Sequence, residues 1–267
     1  MPLAKLDGIN INYKVDGQGE PVVMIMGFGA PGSMGRSQIP FFKKYCRVIT
    51  FDNRGVGKSE KPQGPYSTKM MADDTVKLME HLGIEKAYVI GTSMGGMIAQ
   101  EVAISYPKKV RKLVLACTYA CQDETSGDTE ELAKLWKQKQ QHAPSAMVGL
   151  SFNKPLYKYA SGAFARISMK FSGAADMVGF AGQREACRKH NALERLPLIT
   201  APTLVIVGTK DRIIKPVSSE VIAGKIQNAR LVKIEGGSHC FFIEMKNVFN
   251  REILNFLKKD TPPQFMT

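Results

Sequence analysis

A chain of 267 residues, 44% hydrophobic and carrying a formal charge of +13, is long enough to bury a full α/β core. No apolar run reaches the eighteen or so residues of a membrane helix, which excludes a membrane span of that kind. The charge excludes a nucleic-acid binder of the usual stripe type, because it is spread: 16 basic and 10 acidic side chains in residues 1–121, 11 and 8 in 122–195, 10 and 6 in 196–267.

The opening residues Met1 to Gly8 have no apolar h-region, so no signal peptide is expected. Ile9 to Tyr13 alternates like an exposed strand, and Gly17-Gln18-Gly19-Glu20 turns the chain. Pro21–Met26 and Arg47–Phe51 read as buried strands. Ala72, Val76, Met79 and Leu82 share one face of a helix that Gly83 ends. Ala87 to Ile90 is another buried strand, and a helix over Met97–Tyr106 follows, closed by Pro107. The basic run Lys108-Lys109-Val110-Arg111-Lys112 then reads as a solvated turn before a strand, Lys112–Ala116. Strands alternating with helices at this spacing predict a parallel sheet covered on both faces.

The pattern breaks over residues 122–195. A charged helix, Glu130–Gln141, leads into an Ala/Met/Phe-rich stretch without strand signals, which predicts a helical insertion. The strand pattern resumes at Thr203–Val207, followed by a helix near Val217–Ile226, a strand at Arg230–Ile234 and a last helix, Asn247–Leu257; residues 261–267 read as a frayed tail. Core residues are therefore expected at 1–121 and 196–267, with the insertion between them. Five scattered cysteines (46, 117, 121, 187 and 240) without a C-x-x-C pair suggest reduced thiols and a cytoplasmic protein.

Two phosphate-binding patterns fail on context. Gly27-Phe28-Gly29-Ala30-Pro31-Gly32 matches G-x-G-x-x-G, with Asp52 placed as a ribose acid, but Pro31, Gly32, Gly35 and Pro40 break up the helix that motif must open. Asp52 to Ser59 ends like a Walker A loop but has aspartate where the first glycine belongs, and it runs into Glu60-Lys61-Pro62 instead of a helix.

Gly91-Thr92-Ser93-Met94-Gly95 fits better. It is a G-x-S-x-G turn between a buried strand and a helix, which projects a serine hydroxyl towards the helix N-terminus. A serine needs a base, and a histidine base needs an orienting acid. Of the four histidines, His81, His142 and His190 lie in helical or inserted segments and read as surface or structural. His239 follows the strand Arg230–Ile234, and Asp211 follows Thr203–Val207, both where parallel sheets build sites. Asp123, after the earlier strand, is an alternative acid.

With these motifs in order, Ser93…Asp211…His239, the chain resembles the α/β-hydrolase superfamily over about residues 8–258. The resemblance rests on Gly91 to Gly96, on Asp52-Asn53-Arg54-Gly55-Val56-Gly57-Lys58-Ser59 as a D-x-R-G-x-G-x-S segment, on Gly208-Thr209-Lys210-Asp211 with Pro216, and on Gly237-Ser238-His239. It implies the α/β-hydrolase fold, a mostly parallel twisted sheet with helices on both faces, and makes 122–195 the family's helical cap. It also implies a cofactor-independent Ser-His-Asp enzyme without a metal, in which the backbone N–H groups of Phe28 and Met94 bind an oxyanion. Met26 stands where the family usually has histidine, so the resemblance leaves open what braces that turn. Serine at 93 sets the chain apart from the aspartate-nucleophile branches. The Gly-Phe-Gly turn and single cap look most like the small-esterase, enol-lactonase and cofactor-free haloperoxidase-like group. That implies a small ester or lactone as partner, with carbon–carbon hydrolysis, lyase chemistry or a non-catalytic ligand-binding scaffold as alternatives. Arg166, Arg184 and Arg188 raise the question of an anionic substrate or acidic carrier protein; solvated arginines are the preferred reading.

Overall fold

Eight strands form one sheet: β1 (Leu3–Leu6), β2 (Ile9–Asp16), β3 (Pro21–Ile25), β4 (Arg47–Phe51), β5 (Ala87–Thr92), β6 (Val110–Ala116), β7 (Thr203–Gly208) and β8 (Ala229–Ile234). Their spatial order is β1-β2-β4-β3-β5-β6-β7-β8; β1 and β2 are antiparallel to their neighbours and the rest are parallel. This architecture comes from a computed structural model that describes residues 2–123, 127–137, 143–159 and 174–258. His142, Arg166, the end of the expected Glu130–Gln141 helix and the tail at 261–267 lie outside the described residues.

The continuous apolar runs of β3 to β7 follow from burial on both faces. Alternate residues feed opposite cores. Val23, Ile25, Val89, Leu113, Leu115 and Val205 pack with Met71, Val76, Ile98, Val102 and Ile222 of the helices Thr68–His81, Met94–Ser105 and Val217–Lys225. Val22, Met24, Ile90, Val114 and Leu204 pack with Phe42, Phe249, Ile253 and Leu257, the last three on the helix Lys246–Lys258. Ser67 caps Thr68–His81 by accepting the Met70 N–H, and Gly83 leaves it at φ +66°.

Three expectations need adjusting. Strand β1 carried no signal because only Ala4 of its four residues is buried. The helix after β5 starts at Met94, three residues before Met97, since Gly95 and Gly96 sit in its first turn rather than before it. Packing explains them: a Cβ on Gly95 would collide with the Ile25 carbonyl, and one on Gly96 would come 2.6 Å from the Thr118 side chain. Lys112 is not solvated. It is buried, and its amine donates to the carbonyls of Phe256 (3.0 Å) and Leu257 (3.3 Å) at the end of the last helix.

Among the described residues of 122–195 the structure has helices at Glu130–Lys137, Ala143–Ser151 and Ala174–Lys189, plus isolated bridges joining Cys121 to Asn191 and Asp128 to Ile214. A 3₁₀ turn at Leu193–Leu198 runs across position 195, and Leu196 is fully buried in the main core.

Candidate active site

Parallel strands deliver their C-terminal loops to one edge of the sheet, and the expected residues meet there. Ser93 follows β5 with φ 54° and ψ −121°, a backbone conformation that costs a non-glycine residue about 1–3 kcal/mol. Its own N–H donates to the Ala116 carbonyl of β6 (2.9 Å), and its carbonyl accepts the Gly96 N–H (2.8 Å). His239 follows β8, with Nε2 3.1 Å from Ser93 Oγ and Nδ1 2.7 Å from Asp211 Oδ2. Asp211 follows β7; its other oxygen accepts the N–H groups of Ile213 (2.8 Å) and Ile214 (3.0 Å). Asp211 and His239 are both buried. The relay can thus pass a proton from Ser93 to an imidazole whose far nitrogen is held by a carboxylate. Asp123 is exposed and accepts from the Cys121 thiol at 2.9 Å; the carboxylate beside His239 is Asp211.

The Phe28 turn hangs next to Ser93. The Ala30 N–H donates to the Gly27 carbonyl (3.2 Å) with Gly29 at φ +64°, and a Cβ on Gly27 would lie 3.2 Å from the Ser93 Cβ. Met94 opens the helix that follows Ser93, where backbone N–H groups are unsatisfied within the helix and favour negative charge.

Asp52 accepts N–H groups from Gly32 (2.7 Å) and Lys58 (2.9 Å) and the Asn12 amide (2.7 Å), so it is spent on bracing loops. Asn53, in the same segment, donates its amide to the Met26 carbonyl at 3.0 Å, supplying support at the position where Met26 replaces histidine. Arg54 grips Asp74 through two bonds of 2.6 and 2.7 Å. Glu244, which sequence reasoning missed, receives the Ser238 hydroxyl and the N–H groups of Lys154 (2.7 Å) and Asn153 (3.1 Å), fixing the residue before His239.

A cavity of about 120 Å³ opens onto Ser93. Phe28, Met97, Tyr119, Leu132, Met147, Ile213 and Ile214 make most of its wall; Gln122, Asp128, Arg184, Cys187 and Arg188 complete it. Arg188 is held by Glu185 through bonds of 2.9 and 2.8 Å. A wider groove, about 400 Å³, lies between Gln63–Pro65 and the helix Ala174–Lys189 and touches none of the relay residues. Among the described residues no group of three His, Cys, Asp or Glu side chains is arranged to hold a metal ion, and no helix is long and apolar enough to cross a membrane.

The family model for the alpha/beta hydrolase fold matches residues 20–161 and 158–245. The chain belongs to the alpha/beta hydrolase fold family. Within this family it is 29% identical over 264 residues to RutD of Azorhizobium caulinodans, whose carbamate hydrolase designation is provisional, covering 96% of this chain and 98% of that one. It is 28% identical over 256 residues to 3-oxoadipate enol-lactonase 2 of Acinetobacter baylyi, with 94% of each chain covered. Among solved structures, the enol-lactonase from Burkholderia xenovorans LB400 superposes with a TM-score of 0.83 at 28% identity, covering 96% of this chain and 99% of that one. As a member of this family with hydrolase relatives, the protein is an enzyme and a hydrolase.

Of the other described histidines, His81 is exposed on its helix, while His190 is buried and structural. His190 Nδ1 lies 2.9 Å from Thr68 Oγ1. Burial, with Arg195 nearby, pushes its pKa down to about 3. Glu101 Oε1 is 3.9 Å away, but that carboxylate is already held by Arg195, and the imidazole stays neutral. An unfolded histidine takes up its proton near pH 6.5, so between roughly pH 6.5 and 3 the unfolded chain binds the extra proton. Stability contributed by the neutral ring is therefore lost as pH falls through that window, by up to about 1.4 kcal/mol per unit. His190→Gln is expected to flatten the acid limb of a melting-temperature profile over about pH 6 to 4. An unchanged slope would remove His190 from the account.

Proposed function

We propose that this enzyme is a serine hydrolase that cleaves a carboxylic ester or lactone through an acyl-enzyme. The observation that carries the reading is the Ser93–His239–Asp211 relay, with its 3.1 and 2.7 Å contacts and with Ser93 in the wall of a mostly apolar cavity. His239 removes the Ser93 proton, Ser93 attacks the carbonyl carbon, and the N–H groups of Phe28 and Met94 receive the oxyanion. His239 then gives its proton to the leaving oxygen. Water, activated by the same imidazole, releases the acid; a lactone yields a single hydroxy acid. The relatives named for enol-lactone hydrolysis support the ester and lactone class. A cavity of about 120 Å³ with a mostly apolar wall favours a compact acyl group over a long chain.

The test pairs a fluorophosphonate probe with a series of p-nitrophenyl esters from acetate to dodecanoate, and with small lactones. The reading expects Ser93 to be labelled and kcat/KM to be highest for the shortest acyl groups. A serine that resists the probe, with turnover only of carbon–carbon substrates or none, would replace it with the lyase, carbon–carbon hydrolase or ligand-binding alternatives.

A further inference from the structure

The helix Ala174–Lys189 inserts one polar side chain whose placement the relay does not explain. Gln183 is fully buried, and both ends of its amide are used. Its Oε1 accepts the Gly29 N–H at 2.8 Å, and its Nε2 donates to the Arg54 carbonyl at 2.7 Å. A buried amide satisfied at both ends holds its partners in one arrangement, because any other leaves polar groups unpaired in a dry site.

The consequence falls on the Phe28 turn. Three successive peptide planes are each pinned by a hydrogen bond. The Met26–Gly27 plane is held through the Met26 carbonyl by Asn53, and the Gly27–Phe28 plane through the Gly27 carbonyl by the Ala30 N–H. The Phe28–Gly29 plane is held through the Gly29 N–H by Gln183. In a trans peptide the N–H points opposite to its carbonyl, so fixing the Gly27 carbonyl and both flanking planes fixes the direction of the Phe28 N–H. Gln183 supplies the pin that comes from farthest along the chain.

The helix is built to bring it there. Gly179, one turn earlier on the same face, has no room for a Cβ, which would overlap the Gly55 carbonyl. A Cβ on Gly182 would come 2.6 Å from the Tyr66 ring. The Phe180 and Phe28 rings meet edge-on with centroids 4.6 Å apart. Together these contacts seat the helix against the loop at Arg54 and the turn at Phe28.

We propose that Gln183 is a positioning residue for oxyanion binding, acting through the Gly29 N–H to aim the Phe28 N–H. This rests on the serine-hydrolase reading above. The experiment compares kcat/KM for an oxygen ester with that for the matching thionoester, since a well-aimed hole prefers oxyanion over thioanion. The ratio is independent of how much of a preparation is active, so partial misfolding does not blur it. Gln183→Met keeps the length and loses both bonds; it is expected to lower the ratio about tenfold or more, with KM for the oxygen ester within about twofold. Gln183→Glu is the second arm. Its carboxyl keeps an acceptor for the Gly29 N–H whether protonated or ionised, and loses only the donor to the Arg54 carbonyl when ionised. This variant is therefore expected to keep the ratio within about threefold of wild type, while Gln183→Met loses it. An unchanged ratio in Gln183→Met, or a Gln183→Glu ratio that falls as far as that of Gln183→Met, overturns the proposal. Should Gln183→Met not fold, Gln183→Leu takes its place in the same comparison. Ester turnover that survives Ser93→Ala defeats the serine-hydrolase reading and this proposal with it. Ser93-dependent turnover with unchanged ratios defeats the proposal only.

Discussion

Ser93→Ala is expected to lower kcat for ester hydrolysis by on the order of 10⁴–10⁶ and to abolish the acyl-enzyme. The alanine keeps the strained backbone, the helix that starts at Met94 and the Phe28 turn. It removes the oxygen that His239 Nε2 faces at 3.1 Å. On the proposed reading, what remains binds the ester and its oxyanion with no nucleophile beside them, which leaves a residual rate about 10³–10⁴ above that in water. Rapid acid quench and intact-protein mass spectrometry read the step directly: wild type gains the mass of the acyl group during turnover and the variant does not. Melting temperatures within a few degrees of one another (~2–3 °C) would place the loss in chemistry rather than folding. Turnover in the variant within about tenfold of wild type would end the assignment of Ser93 as nucleophile.

The second large effect is expected from Asp211→Asn, at roughly 10⁴ in kcat, and its cause is a choice of tautomer. In wild type Oδ1 faces two donors, the N–H groups of Ile213 and Ile214, while Oδ2 faces His239 Nδ1. An asparagine in the same pose must turn its carbonyl oxygen to those two N–H groups, since its NH₂ cannot accept them. The NH₂ then points at His239 and donates to Nδ1. The imidazole must carry its proton on Nε2, the nitrogen beside Ser93, and can no longer take the hydroxyl proton. Histidine ¹⁵N NMR should show Nδ1 protonated in wild type and Nε2 protonated in the variant. Asp123→Asn is expected to change kcat by less than about twofold, because that carboxylate sits on the surface with the Cys121 thiol. A large loss from Asp123→Asn with little from Asp211→Asn would reverse the assignment of the acid.

The legible and illegible parts of this site differ in the range of the interactions that specify them. Gly91 and Gly95 could be read as a tight turn because strand and helix collide locally if either carries a side chain. Asp211 and His239 could be singled out because each follows a strand, and parallel strands deliver their ends to one edge. Asn53, Glu244 and Gln183 left no such trace. Asn53 reaches a carbonyl 27 residues back, Glu244 the N–H groups about 90 residues back, and Gln183 an N–H 154 residues back. A polar residue in a helix or loop looks the same in sequence whether it meets water or a distant backbone group. Lys112 misled for the same reason: within a basic run its charge suggested solvent, while its amine lies against the last helix.

The sequence by itself determined the alternation of strands and helices, the two-faced burial of the parallel strands and the strand ends that carry Ser93, Asp211 and His239. These follow from periodicity, glycine sterics and strand ends, which act over a few residues. Only the tertiary structure decided that Asp211 rather than Asp123 faces His239, that Asn53 supports the turn at Met26, and that helix Ala174–Lys189 pins that turn through Gln183. Those are matters of distance between segments far apart in the chain, and packing of the whole molecule sets them.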